Sequence, residues 1–292
     1  MKEKNMTALI CCFVREYHYN NSNIKIYSDK YANKILSKEE YDSISKSMIE
    51  GINFFNPNFK GTTEESLNWI VNNRLAPSVV CRSAFNRMSL ETAIKIGCKQ
   101  YIVYASGYDT STLTCKIKSY EVDRSEMIED KIRRIKEFNI DNSNIEYIKC
   151  DFTQNDWIRN IINSSYNPKL ISFNNLSGIS YYLTKKEFSN MINEIANIIC
   201  NGSSILFDYQ TNEESVTTLT NEKLASGADE KMKSKYNYEE IQKILSDNGF
   251  KIYEYLSDEE ITKQYCYNYN TLNPNDRIVA PKGVAYVLAV KK

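Results

Sequence analysis

Four short strand-like segments in the middle of this sequence are each followed by residues able to hold a polar ligand. QYIVYA (100–105) leads into SGYDTS, which offers Gly107 and Asp109. KSYEV (118–122) leads into Asp123, sixteen positions beyond Gly107. NIEYIKC (144–150) leads into Asp151-Phe152, and LISFN (170–174) ends in Asn174 and continues to Asn175 and Ser177-Gly178. A glycine lets its backbone come close to a ligand. An acid at the place of Asp123 accepts hydrogen bonds from both hydroxyls of a ribose. A carboxylate beside a ring, as in Asp151-Phe152, suits an adenine, with one bond to the exocyclic amine and a face to stack on. Together these residues sketch an adenosine pocket. Each also has a plain alternative: Gly107 as an ordinary turn, Asp123 as a cap on the following helix, Asp151 as a cap on its own turn.

The ligand is expected to lack a diphosphate. No GxGxxG stands after the first run, and a pyrophosphate needs that glycine-packed helix start. This also counts against a nicotinamide-binding oxidoreductase. S-adenosylmethionine is a nucleoside of the right kind, and its amino-acid end needs a partner. Arg82, in APSVVCRSAFNRM, has a fork that clamps a carboxylate in two bonds; the alternative is a surface arginine on a helix. Tyr181 and Tyr182 follow the fourth run and are candidates to line an acceptor slot. Phe54, Phe55, Phe59 and Trp69 either line a flat acceptor or pack a core.

The elements that must position these residues alternate. Residues 1–97 read as a helical cap: apolar spacing over 7–17, a capping box at Ser37/Glu40 opening a helix towards Phe55, then helices over about 64–75 and 78–96. From residue 98 strands alternate with helices. Strands are expected at 100–105, 118–122, 144–150, 170–174, 203–209, 250–256 and 283–290. Helices fall at 125–138, 184–199 and 238–247, the second opened by a Thr184/Glu187 capping box. That alternation makes an α/β fold with a largely parallel sheet, whose ligands bind beyond the C-terminal strand ends. Residues 211–235 are polar and patternless, and read as a lid excursion. The expected organisation is a cap over 1–97 and a core over 98–292, in one compact domain.

Composition excludes several classes. The 292 residues carry 37 Lys+Arg against 37 Asp+Glu, so the electrostatic attraction of a nucleic-acid or anionic-membrane binder is missing. No apolar run reaches the ~20 residues of a membrane helix. The eight cysteines form no CxxC pair and read as small buried hydrophobes of a cytoplasmic protein. With one histidine, His18, no His-rich metal site is possible, and no metal cofactor is expected.

Eight segments, in order, resemble the leucine carboxyl methyltransferase family, which includes protein-phosphatase methyltransferases and polyketide O-methyltransferases similar to the tetracenomycin enzyme. TALICCFVRE (7–16) resembles the opening helix with its arginine, and YSDKYANKIL (27–36) a D-x-Y/F-A element. RSAFNRMSLETAI (82–94) resembles an R-T-x-x-x-D-like helix, and QYIVYASGYDTSTL (100–113) the glycine loop. YEVDRSEMIEDK (120–131) resembles E-V-D-x-P…K, and YIKCDF (147–152) the acidic adenine element. SGISYYLTKKEF (177–188) resembles E-G-x-x-x-Y-L, and DNGFKIYEYLSDEEITKQY (247–265) the C-terminal region.

The resemblance implies a class I methyltransferase (Rossmann-like) fold: a mixed seven-stranded sheet flanked by helices, its last strand antiparallel, with the helical cap. It implies S-adenosylmethionine as methyl donor, S-adenosylhomocysteine as product, and O-methyl transfer to a carboxylate or phenol of a small molecule. Carried over by position, Arg82 holds the methionine carboxylate, with Arg15 adding to that site. Gly107 lies under the amino-acid and sugar portion, Asp123 takes the ribose, and Asp151 and Phe152 meet the adenine. Ala105, Asn174 and Ser177 complete the donor set. Three positions depart from the pattern. Ala105 replaces the loop's first glycine, Ser111 an arginine after D-T, and Ser177 the glutamate that helps fix the donor's amino group. Losing that glutamate removes a contact of about 1.5–3 kcal/mol. Weaker donor binding is expected, or Asp109 or Asn175 as substitute. The alternative is a degenerate family member that binds a ligand without catalysis.

Overall fold

The computed structural model describes residues 6–154, 156–227 and 230–292. Its helices begin with α1 (Met6–Asn21), α2 (Ala32–Ile35), α3 (Lys38–Glu50), α4 (Ile52–Phe55) and α5 (Thr63–Ile70). A π-helical turn, Val71–Leu75, then runs directly into α6 (Ala76–Lys95). The alternating part follows: β1 (Gln100–Tyr104), β2 (Lys118–Asp123), α7 (Ser125–Glu137), β3 (Ile145–Lys149), α8 (Ile158–Ile162), β4 (Ser172–Asn175), α9 (Lys185–Ile198) and β5 (Ser204–Gln210). The chain continues through α10 (Val216–Gly227), α11 (Tyr238–Asp247), β6 (Phe250–Leu256), α12 (Asp258–Tyr265), α13 (Tyr267–Leu272) and β7 (Val284–Lys291). Among the described residues no helix is long and apolar enough to cross a membrane.

The seven strands lie in the order β3-β2-β1-β4-β5-β7-β6. β3, β2, β1, β4 and β5 pair in parallel, and β7 runs antiparallel to β6. This is the mixed seven-stranded sheet that the sequence led us to expect. β1 pairs with β2 on one side and β4 on the other, so strand order reverses between β1 and β4, the place where such sheets take their ligands. The register puts Val103 opposite Asn175 and Tyr104 opposite Val122. β1 and β5 are buried along their whole length, which is why they read as continuous apolar runs.

The chain divides into two compact units. A helical unit holds residues 1–85, 213–231 and 257–284; a sheet unit holds 86–212, 232–256 and 285–292. One core cluster of the sheet unit contains Ile102, Val122, Ile148, Phe188, Ile205 and Phe207, and Tyr101, Val103, Phe173 and Leu206 are buried outside it. In the helical unit, α1 buries Leu9, Cys12, Phe13, Val14 and Tyr17. Within the stretch 211–235 that carried no sequence pattern, residues 216–227 form α10, with Thr217, Thr218, Thr220 and Ala225 buried. The expected helix running to Phe55 is broken at Gly51 into α3 and α4. Helices expected over 64–75 and 78–96 are instead joined without a break through the π turn.

Candidate active site at the strand ends

The loop after β1 turns on two left-handed residues, Ala105 (φ 48°) and Gly107 (φ 46°). Glycine takes this conformation freely, whereas a Cβ makes it cost about 1–2 kcal/mol. Ala105 therefore keeps the path of a glycine turn under strain. Asp123, at the end of β2, closes the loop: Gly107 N donates to its Oδ2 and Arg124 N to its Oδ1, both at 2.7 Å. Asp123 does not cap α7 from its side chain, since that helix has Arg124 at its N-cap position and no side-chain cap bond. Burial pushes the Asp123 carboxyl above the ordinary carboxylate range, while the two backbone N–H groups pull it back. Each oxygen keeps acceptor capacity beyond its one bond.

The sequence reading missed what holds this loop from below. Glu121 and Lys131 form an ion pair at 2.6 Å with both side chains fully enclosed. Lys131 Nζ also donates to the carbonyl of Asp109, and Thr112 Oγ1 donates to Glu121. Burial pushes the Glu121 carboxyl up; the ammonium and the hydroxyl pull it down. The glutamate and the lysine of the E-V-D…K segment are thus a single device that fixes the glycine loop. A charged residue inside an apolar strand, which must find a partner when buried, was the available signal. Asp208 on β5 was missed for a similar reason, because the strand-end reading stopped at the fourth strand. Its Oδ1 accepts from Gly178 N (2.7 Å) and its carbonyl from Ser180 Oγ (2.6 Å), pinning the loop after β4.

The remaining sequence candidates divide. Asn175 donates to Tyr101 Oη (3.2 Å) and accepts from Ser177 N (3.0 Å), so it shapes the loop after β4. Asn174 is fully enclosed: it accepts from Tyr104 Oη and donates to Ser172 Oγ and Ser204 O. Its side chain is used inside the sheet, not offered at the strand ends. Asp151 is exposed and accepts from Thr153 N (2.9 Å) and Thr153 Oγ1 (2.7 Å), bonds that lower its pKa. Phe152 is half-buried, its ring 5.2 Å from Trp157 and 6.5 Å from Tyr104. Tyr181 and Tyr182 are half-buried with ring centres 4.9 Å apart, in the short turn Ser180–Tyr182.

Two candidates belong to the helical unit. Arg82 is half-buried on α6, with Nη2 3.9 Å from Cys11 Sγ. Arg15 is buried and paired with Asp29 at 2.8 Å, and Asp29 in turn accepts from Tyr31 N and Ala32 N at 3.1 Å. The opening-helix arginine and the D-x-Y-A element are therefore two halves of one buried ion pair. His18 is buried: Nε2 accepts from Ile26 N (3.0 Å), and Nδ1 lies 3.0 Å from Ser22 Oγ. Burial, with Lys25 nearby, pulls its pKa down to about 4, so the ring is neutral at pH 7.

A polar ligand at the switch point has unmet groups to satisfy. Ser106 Oγ and Ser177 Oγ, in the loops after β1 and β4, are both buried and have no hydrogen-bond partner. Buried hydroxyls are rarely left so. Among the described residues no group of three or more His, Cys, Asp and Glu is arranged to hold a metal ion.

Comparison with known proteins gives the family and the fold. The family model for leucine carboxyl methyltransferase matches residues 8–196. The chain belongs to the leucine carboxyl methyltransferase family. The match begins in α1 and reaches into α9, so it spans both Arg15 and the strand-end loops. Among family-like proteins, the chain is similar to the candidate S-adenosyl-L-methionine-dependent methyltransferase YktD of Bacillus subtilis (strain 168). It is 29% identical to it, over 99% of both chains. Two solved structures share the fold. A DUF574 family protein from Streptomyces avermitilis MA-4680 has TM-score 0.59 at 11% identity, covering 99% of this chain and 98% of its own. A candidate methyltransferase from Thermobifida fusca YX has TM-score 0.57 at 12% identity, covering 100% and 96%. The fold is the class I, Rossmann-like methyltransferase fold, and the family is one of S-adenosylmethionine-dependent methyltransferases.

Proposed function

We propose that this member of the family is an O-methyltransferase that transfers the methyl group of S-adenosylmethionine to a carboxylate of a small molecule. The observation that carries this reading is the enclosed Asp123 carboxylate bonded to Gly107 N at the switch point, with unpartnered hydroxyls on Ser106 and Ser177 in the loops after β1 and β4. Asp123 takes the ribose hydroxyls on its free lone pairs. Gly107 brings its backbone against the sugar and amino-acid portion, and Ser106 and Ser177 give their hydroxyls to the ligand's polar atoms. Asp151 and Phe152 receive the adenine. Arg82 belongs to the helical unit, and the family resemblance assigns it the methionine carboxylate. The donor, when bound, supplies a methyl group already activated by a sulfonium, so the chain's task is to align the acceptor, a contribution of about 7–11 kcal/mol in well-oriented reactions.

His18 favours a carboxylate over a phenol. A phenol needs a base, whereas a carboxylate is ionised at pH 7. The only histidine has both ring nitrogens engaged in its own unit and a pKa near 4. Ala105 favours a working donor site over a degenerate one, because it keeps the left-handed turn although it is not glycine.

Thermal unfolding with and without S-adenosylmethionine or S-adenosylhomocysteine tests the reading. A ligand well above its Kd stabilises the fold it binds by a few kcal/mol. No shift at millimolar donor overturns the proposal. Incubation with labelled donor and a carboxylate panel, followed by detection of base-labile methyl esters, tests the acceptor class; methyl ethers of phenols as the only products reject the carboxylate.

A further inference from the structure

The cations that the fold encloses almost completely, among the described residues, each have a carboxylate. Arg15 has Asp29, Lys131 has Glu121, and Arg134 has Asp130. Arg74 does not. It stands in the π-helical turn, half-buried, with its guanidinium carbon 4.7 Å from the centre of the Trp69 ring. Nη1 donates to Thr217 Oγ1 at 3.2 Å and Nη2 to the Phe55 carbonyl at 3.3 Å. Nε is closed off from solvent and has no acceptor. Every partner is neutral, and burial lowers the Arg74 pKa with no charge to offset it. A guanidinium has five N–H donors in a fork shaped for carboxylates, and here only two are in use. A half-buried charge without a counter-charge is unfavourable, and an arriving anion relieves it.

The surroundings say what the anion is attached to. The Trp69 ring under the guanidinium is half-buried and lies 6.3 Å from the ring of Phe59, which is also half-buried. Arg74 thus presents its fork beside partly open aromatic surface, all within the helical unit. We propose that Arg74 is the anchoring cation for a small organic acid bound on the helical unit, whose carboxylate meets the Arg74 fork while its apolar body lies against the Trp69 and Phe59 rings. A role for this acid as the methyl acceptor rests on the function proposed above; the binding of an apolar carboxylate does not, and is measured without the donor.

The test is equilibrium binding, by ligand-observed NMR, of three probes to the full chain: benzoate, its uncharged methyl ester, and acetate. Wild type is expected to bind benzoate at least tenfold more tightly than either methyl benzoate or acetate. Arg74→Gln is expected to lose the preference for benzoate over methyl benzoate, and Arg74→Lys to keep part of it. Arg87→Gln removes an exposed arginine paired with Glu91 and serves as the charge control, with the preference intact. The ratio of charged to uncharged probe is insensitive to a general loosening of the fold, and the lysine variant serves if the glutamine variant does not fold. Equal binding of the two ring probes to wild type, or the same preference in Arg74→Gln as in wild type, overturns the inference. A donor-induced melting shift that persists in either case leaves the methyltransferase reading standing.

Discussion

In the sheet unit, Lys131 is shut away completely and has Glu121 2.6 Å from its nitrogen. In the helical unit, Arg74 is half shut away and has a hydroxyl, a carbonyl and an indole face. The first arrangement spends buried charge on rigidity: the pair and the Asp109 carbonyl together hold the loop that presents Gly107 to Asp123. The second leaves a charge without a counter-charge beside a half-buried aromatic face. The contrast separates two jobs within one chain. Charge that shapes a site is neutralised inside the protein, whereas charge that selects a ligand waits for it.

The largest effect is expected at the enclosed pair. Lys131→Met strands Glu121 in the interior and should lower unfolding stability by about 3–5 kcal/mol. The same denaturant titration on Arg74→Met should move stability by about 1 kcal/mol or less, because no counter-charge is left behind. If both substitutions cost the same, the contrast is broken.

Next comes donor affinity. Asp123→Ala, on the proposed reading, should weaken S-adenosylhomocysteine binding by about 1.5–3 kcal/mol in calorimetry. Unchanged affinity removes Asp123 from the ribose.

Helix α1 offers a finer version of the comparison, through two ionisable groups two residues apart. His18 holds a folded pKa of about 4 against an ordinary 6.5. As pH falls through that window the unfolded chain takes a proton that the folded one refuses, so about 2–3 kcal/mol of stability is lost. Glu16 is pushed the other way, to about 7 from 4.5, by burial and then by Asp29. The folded chain takes that proton first, so stability is gained as pH falls from about 7 to 4.5. Its share is about 1–2 kcal/mol, reduced by solvent screening. The wild-type profile should therefore be shallow between pH 4.5 and 6.5. Glu16→Gln should steepen the acid loss, and His18→Gln should reverse its sign. Parallel profiles for all three proteins would contradict both assignments.

The smallest effect belongs to the loop. Ala105→Gly should raise stability by about 0.5–1 kcal/mol, the released left-handed strain less the backbone entropy that glycine adds. A loss on the same scale would mean that the methyl group packs usefully.

Much of this molecule could be read from its residues. β1 and β5 were legible because strands covered on both faces carry apolar runs, and α3 and α9 because their capping boxes announce them. Three further boxes, Thr62/Glu65, Asn237/Glu240 and Ser257/Glu260, obey the same rule, and the last opens α12, which lay unread in a polar stretch. Of the site, Asp123 and Gly107 were foreseen as neighbours of one ligand but not as bonded to each other. Pairings across the chain, such as Arg15 with Asp29 or Glu121 with Lys131, leave no local periodicity and emerge only when the chain is folded. Asn174 stands at the end of the strand expected from sequence, but β4 runs one residue further, to Asn175, and the Asn174 side chain bonds within the sheet.

The wide turn at Val71–Leu75 bears on how this stretch came to differ from a plain helix. Such a turn carries one residue more than an α-helix needs, and so looks like a tolerated insertion. Deleting a single residue there would let the backbone close up into regular winding, and would swing everything on one side of the cut by about 100° around the axis relative to the other. The identity of the side chains would survive such a deletion, while the direction in which Arg74 faces would not; for this segment, chain length is itself part of the specificity code.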